Sequence, residues 1–528
     1  VRDLLAEHFR SLWTIAGVVD ALEAAAILLL NAGWEKGWLA IRQTIRFEGK
    51  ELPPVNMTRL RSLEERAKPK TLVGRVKAIV LSGYSSGVDY ADGESASTGY
   101  ERADQLACDL GKQVAGNAGV LAEVLPLVVS NVQGRQGMFG EGLATGADSI
   151  DVCWSALILA FESIPEGQRS VQVLRGFLSG AFHREQAAFE RLLDAAMERA
   201  SLIKWVPVLQ LSAPLDDRGC ARLLTTMDNP NVPALAFQRL SFGGATEKLS
   251  DDTLAQLLQR LSIKPDGLEI ALDVLFMHIF NNPNPVGTRV RQLARSLLAS
   301  VPLTRHNQRM DHTLGCLIKY FLKGSDGEAV ARDLLTTVRN GLDNYSLHRF
   351  DLTETLAALF SAHPKVALEI LVADDTDEGS AYFRRRALAG GVRSNALSSV
   401  PIETLISWCI EGGPERWSSV APLLPAFASS EDGARLKWSE NVLTLLTRAP
   451  KPICVAESLV ALIEPMSWSG SRAEAIKQRL PLLDDLARAL GPEHAAQVTL
   501  WRSQITKTID REARRELEEH RTRDERFE

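Results

Sequence analysis

From about residue 214 onward, apolar residues return every three or four positions, and prolines fall between many of these stretches. Proline lacks an amide N–H and cannot sit inside a helix without losing a hydrogen bond. Asn229-Pro230, Pro283, Pro302, Pro364, Pro401, Pro414 and Pro452 therefore punctuate a series of helices. The candidate helical hairpins cover 214–242, 250–281, 286–323, 325–361, 363–392, 398–429, 431–465 and 470–521. A period of roughly 30 to 40 residues belongs to helix pairs that bury their apolar faces only against neighbouring pairs.

Individual stretches carry the same signature. Residues 182–204, "FHREQAAFERLLDAAMERASLIK", align Phe182, Phe189, Leu192, Leu193 and Ala196 on one stripe. "SDDTLAQLLQRLS" at 250–262 offers Ser250 as N-cap, acids in the first turn and then a leucine face. In "DGEAVARDLLTTVRNGL", Gly341 is placed to close a helix. "NPNVPALAFQRL" and "HPKVALEILV" have the short proline-bearing turn followed by an apolar helix that HEAT-like units use, whereas tetratricopeptide and ankyrin patterns are absent. The expectation is an all-α chain forming an irregular helical-hairpin (HEAT-like) α-solenoid, with an irregular all-α globule as the alternative.

Three regions follow. Residues 1–213 read as an N-terminal helical region, with helices at 2–31, 56–81, 101–133, 149–162 and 169–204 and loops at 82–100 and 133–149. Residues 214–469 read as HEAT-like repeats, and 470–528 as a hairpin with a charged tail. That tail, "TKTIDREARRELEEHRTRDERFE", is expected to be a solvated or frayed helix held by i, i+4 pairs.

Composition limits the function classes. An apolar fraction of 45%, a charged fraction of 24% and a net charge of -6 describe a globular chain with no global pull toward nucleic acid or an anionic membrane. The six cysteines are scattered without any CxxC, which argues against a structural zinc site and for reduced, buried thiols. "ALEAAAILLLNAGW" is too short and interrupted to span a bilayer, and residues 1–20 read as an amphipathic helix rather than a signal. A cytoplasmic protein is expected. Starting at Val1, the chain is expected to be a fragment or to use an alternative start codon.

Several stretches hold residue types that could carry chemistry. "LSGYSSGVDYADGESASTGY" at 81–100 holds Tyr84, Tyr90 and Tyr100, but Asp89, Asp92 and Glu94 lie at the wrong offsets for an EF-hand. It reads as an exposed inter-helix loop, with a disordered insertion as the leading expectation and a partner-contact loop, which its tyrosines suit, as the alternative. "QGRQGMFGEGLATGADS" at 133–149 has five glycines but no phosphate-loop lysine, and reads as a flexible connection. Arg305 and His312 fit the Arg-x4-6-His pattern of helical HEPN-like ribonucleases, as do Arg2/His8, Arg488/His494 and Arg514 or Arg515 with His520; such recurrence is expected by chance. "DDTDE" at 374–378 has no second acidic motif to share a metal. No GxSxG elbow is present. Neither cofactor nor metal is expected.

"GWEKGWLAIRQTIRFEGKEL" (33–52), "KPDGLEIALDVLFMHIF" (264–280) and the ending "MSWSGSRAEAIKQRLPLLDDLARALGP…REARRELEEHRTRDERFE" together resemble the C-terminal helical half of large bacterial STAND or NACHT-like P-loop ATPases, several of which act in anti-phage defence. The resemblance implies a repeat region that senses a ligand or restrains an ATPase. It also implies an ATPase module in cis or in trans, because this chain carries no Walker motif. The leading expectation is a non-enzymatic interaction or sensor module with a protein partner; the alternative is an all-α enzyme such as a HEPN-like ribonuclease. Trp34, Trp38, Arg42 and Arg46, spaced four apart on one helical face, join the three tyrosines as candidate partner contacts. Packing of both tryptophans into the first helices is the competing expectation.

Overall fold

A computed structural model describes residues 2–82, 96–282, 284–304, 308–373, 381, 384–385, 387–388, 395–429, 435–465 and 467–524. The chain is all-α. Its strands among the described residues are Phe427–Ser429 and Leu436–Trp438, an antiparallel pair that sets Phe427 opposite Trp438. No described helix is long and apolar enough to cross a membrane. The contacts divide the chain into two compact units, Val1–Ile270 and Ala271–Glu528.

Among the described residues, the hydrophobic cores of the first unit include the following two. One gathers Phe9, Trp13, Val19, Leu22, Trp34, Ile41, Leu60 and Leu63 from the first four helices. Phe9 stacks on Trp13 and meets Trp34 edge-on, with ring centroids 5.4 and 5.8 Å apart. The other runs from Trp38 and Leu39 through Val76, Leu110, Phe139, Leu157, Phe177 and Leu193 to Leu209.

Several stretches expected to be single helices are divided, and the sequence supplies the reason. Residues 2–31 form Arg2–Trp13 and Val19–Asn31. Residues 56–81 form Pro54–Ala67 and Leu72–Ile79, the second capped by Thr71, whose hydroxyl accepts from the Gly74 amide at 3.0 Å. Asn117 likewise starts Ala118–Val129 by accepting from Val120, which separates it from Ala96–Ala115. Short polar side chains satisfy the orphan amides of a new helix, so they favour a break over continuation. The 182–204 stripe breaks at Glu185, yet Phe189, Leu192, Leu193 and Ala196 are buried as the spacing predicts.

The glycine-rich stretch 133–149 corrects the expectation of a flexible loop. Gln136–Gly146 is a helix clamped between Ala96–Ala115 and Gln172–Arg184. The absent side chains let backbones touch on both faces. A Cβ at Gly142 would lie 1.9 Å from the Cys108 carbonyl oxygen, and one at Gly176 would lie 1.7 Å from the Gly137 oxygen. Arg184 donates to the carbonyls of Ala144 and Ala147 at 2.9 and 2.5 Å, satisfying the end of this helix. Only Gly134, with φ +95, occupies a left-handed turn here.

In the second unit, each helix from Thr288–Ala299 onward packs on its chain neighbour or on the next helix but one. Side-chain ties between these helices include spans of 26 to 50 residues, and many fall near 40. Arg309 reaches Asp273 across 36 residues, His363 meets the Leu322 carbonyl across 41, and Arg384 meets Asp343 across 41. The Trp408 indole donates to Glu369 across 39, Arg416 reaches Glu369 across 47, and Arg448 pairs with Glu403 across 45. The same spacing recurs inside the first unit, where Lys77 pairs with Glu35 across 42 residues and Arg191 with Asp151 across 40.

Two smaller expectations change. Gly341 lies inside helix Glu328–Asp343 instead of ending it, because the Leu347 side chain occupies the space where its Cβ would be. The charged tail is one helix, Ala495–Asp524, and it is not merely solvated. Glu516 accepts from the Ser471 hydroxyl at 2.7 Å and from the amides of Arg472 and Ala473 at 2.6 and 3.1 Å, capping helix Arg472–Arg479. Those bonds hold the Glu516 carboxyl below its ordinary value, the Ser471 hydroxyl contributing most. Beside it Glu512 is buried and bridges Arg472 and Arg515.

Candidate functional site

The first unit holds a cleft of about 530 Å³ bounded by four helices. Ala6 and Glu7 come from Arg2–Trp13, Leu39, Ala40 and Gln43 from Gly37–Glu48, Lys77 and Ala78 from Leu72–Ile79, and Leu127 from Ala118–Val129. Its floor is aliphatic, and its rim carries both signs of charge. Lys77 bonds Glu35 at 2.8 Å and Lys36 bonds Asp3 at 3.0 Å, with every partner substantially exposed. Exposed pairs contribute only about 0–1 kcal/mol each, so these charges can exchange partners at little cost. An aliphatic cleft with exchangeable rim charges suits an amphipathic protein segment, the apolar side seated and the rim setting register.

The predicted contact residues are placed differently. Trp34 and Trp38 are core residues, only 4% and 7% exposed, so neither offers a surface for a partner; the interface reading of both is corrected. The Trp34 indole donates to the Arg2 carbonyl at 3.1 Å, while the Trp38 indole N–H is buried without a partner among the described residues. Arg42 bonds Glu64 at 2.7 Å and lies 5.9 Å from the Trp38 ring centroid, which ties it to the fold. Arg46 sits 4.9 Å from the ring of Phe47, which is half-exposed and flanked on its other approach by Arg10 at 4.6 Å. Tyr100 is exposed on Ala96–Ala115, a helix that starts earlier than expected, and it does not line the cleft. Tyr84 and Tyr90, with Asp89, Asp92 and Glu94, lie outside the described residues, as do Arg305 and the acids 374–378.

The cleft residues were missed by one helical position. The stripe 34-38-42-46 turns inward or onto neighbouring helices, and the adjoining stripe of Glu35, Leu39 and Gln43 faces the cleft. Glu35 and Lys36 between two tryptophans were the available signal, because charges flanking a buried stripe mark its exposed edge.

His312 and His348 have separate surroundings. His312 meets Phe276 edge-on at 5.8 Å and lies 3.7 Å from the Cys316 sulfur, while His348 is exposed at a turn where its backbone amide donates to Asp351. Among the described residues, no group of three or more His, Cys, Asp or Glu side chains is arranged to hold a metal ion. The buried thiols are electrostatically quiet: burial pushes Cys153 and Cys220 up to about 11 and Cys409 up to about 12. A thiol so shifted is a poor nucleophile near neutral pH. No family model matches the sequence, and no curated protein matches it.

Proposed function

We propose that the chain is a non-enzymatic interaction and sensor module of HEAT-like helical-hairpin repeats, acting as part of, or partner to, a larger bacterial NTPase of the STAND or NACHT-like class. The observation that carries the reading is the recurrence of ties at separations between 36 and 47 residues. In stacked hairpin repeats each unit meets only its neighbours, so contacts recur at the length of one repeat. Such stacks expose long surfaces, and their usual chemistry is shape recognition of another macromolecule.

The cleft bounded by Glu7, Lys36, Leu39, Gln43, Lys77 and Leu127 supplies a surface for that partner. Reversing Lys36 and Lys77 to glutamate changes its rim while leaving both cores untouched. Affinity purification from the native host should recover a P-loop NTPase with the wild-type chain and much less with Lys36→Glu/Lys77→Glu. Equal recovery by both chains would remove the cleft from the interface, and recovery of no NTPase by either would count against the partner.

A further inference from the structure

A second pocket of the first unit has a different chemistry. About 520 Å³ in volume, it is lined by Ser212, Arg239, Phe242, Gly243, Gly244, Glu247 and Lys248, with Leu211 and residues 213–215 completing the wall. Arg239 comes from the 3-10 helix Ala234–Ser241, and its guanidinium has no hydrogen bond or ion pair among the described residues. Arg175, from helix Gln172–Arg184, stands near enough for the two positive charges to act on each other. It donates to Gln172 at 3.0 Å, but its Nε is buried without a partner. Burial first, and then the charge of Arg239, press the Arg175 guanidinium down to about 10.

Guanidinium groups normally find carboxylates when they are taken out of water. Here two of them share a region with no carboxylate bound to either. The other donors are also unspent. The Ser212 hydroxyl is buried without a partner. Gly243 and Gly244 take left-handed φ values of +62 and +67, and neither amide donates a hydrogen bond among the described residues. Glu247 is the one acid in the lining, lying against Gly244 without an ion pair of its own. Within the lining, Arg239 and Lys248 set against Glu247 leave one positive charge in excess, and Arg175 adds its charge from just outside it.

We propose that the pocket between Ser212, Arg239 and Lys248 is a binding site for a phosphate group. A tetrahedral oxyanion offers acceptors to guanidinium, ammonium, hydroxyl and amide donors together, and its negative charge complements the positive balance of the lining. The site is independent of the partner cleft, which shares no lining residue with it. Binding would also relieve the repulsion between Arg175 and Arg239, so it should stabilise the fold by mass action.

The test is a thermal melt and a calorimetric titration of the full chain with sodium phosphate and with pyrophosphate, against sodium chloride at matched ionic strength. Phosphate and pyrophosphate should raise the melting temperature where chloride does not. Arg239→Gln should weaken binding at least tenfold, while its own melt without phosphate stays level or rises, because it removes a repulsive neighbour and breaks no hydrogen bond or ion pair among the described residues. Glu247→Gln should tighten binding. A wild-type response no larger than that to chloride would overturn the proposal, as would a phosphate response that survives Arg239→Gln.

Discussion

Arg384 is wholly buried, and its Nη1 meets both carboxylate oxygens of Asp343, 2.8 and 2.9 Å away across 41 residues of chain. Its Nε donates to the Leu371 carbonyl at 3.0 Å. Removing one partner of a buried pair strands the other charge, which costs about 3–5 kcal/mol. Asp343→Ala should therefore lower the melting temperature strongly. Replacing both residues with apolar ones, Asp343→Leu/Arg384→Met, should recover part of that loss. A melt of the single variant matching wild type would show that the pair does not hold these helices.

Helix Gln136–Gly146 gives a paired test of close packing. Glycine to alanine in a helix normally gains up to about 1 kcal/mol. Gly137 has open space around its missing Cβ, so Gly137→Ala should stabilise within that range. At Gly142 the same methyl would meet the Cys108 carbonyl, and Gly142→Ala should destabilise by about 1–3 kcal/mol or more through overpacking. Denaturant melts of the two variants should move in opposite directions.

Alkaline pH should weaken the fold through its buried thiols. Cys153, Cys220 and Cys409 rise from 9.0 to about 11, 11 and 12, chiefly by desolvation. Above pH 9 the unfolded thiols lose protons that the folded ones keep, so stability falls as pH rises from 9 toward those higher values. Melting temperatures measured from pH 8 upward should decline less steeply in Cys409→Ala than in wild type, once each is referred to its own value at pH 8. At pH 8, iodoacetamide should modify exposed Cys454 and spare these three until the chain is unfolded.

Helix content and many boundaries could be read from the residues. Ser250 caps Asp251–Ser262 as its position implies, accepting from the Thr253 amide at 3.1 Å. What could not be read depended on partners distant in sequence. Gly140, Gly142 and Gly146 suggest a loop by propensity, yet they form a helix because two other helices press against their bare backbone. Trp34 and Trp38 share a stripe, but the first enters one core and the second another, and no local pattern distinguishes that from a paired surface patch. The pocket proposed to bind phosphate joins Ser212 to Arg239 and Lys248, residues that no motif connects.

Photo-crosslinking in the native cell would capture the P-loop NTPase segment proposed to occupy the cleft beside Gln43. A photoreactive residue would replace Gln43 inside the cleft, and in a second chain Leu159, which is 69% exposed on helix Ile150–Ser163 and does not line the cleft. Position 43 should yield a covalent adduct whose peptides derive from a Walker-motif protein, and position 159 should not. Adducts of equal yield at both positions, or an adduct at 43 with a protein lacking a nucleotide-binding module, would contradict that occupancy.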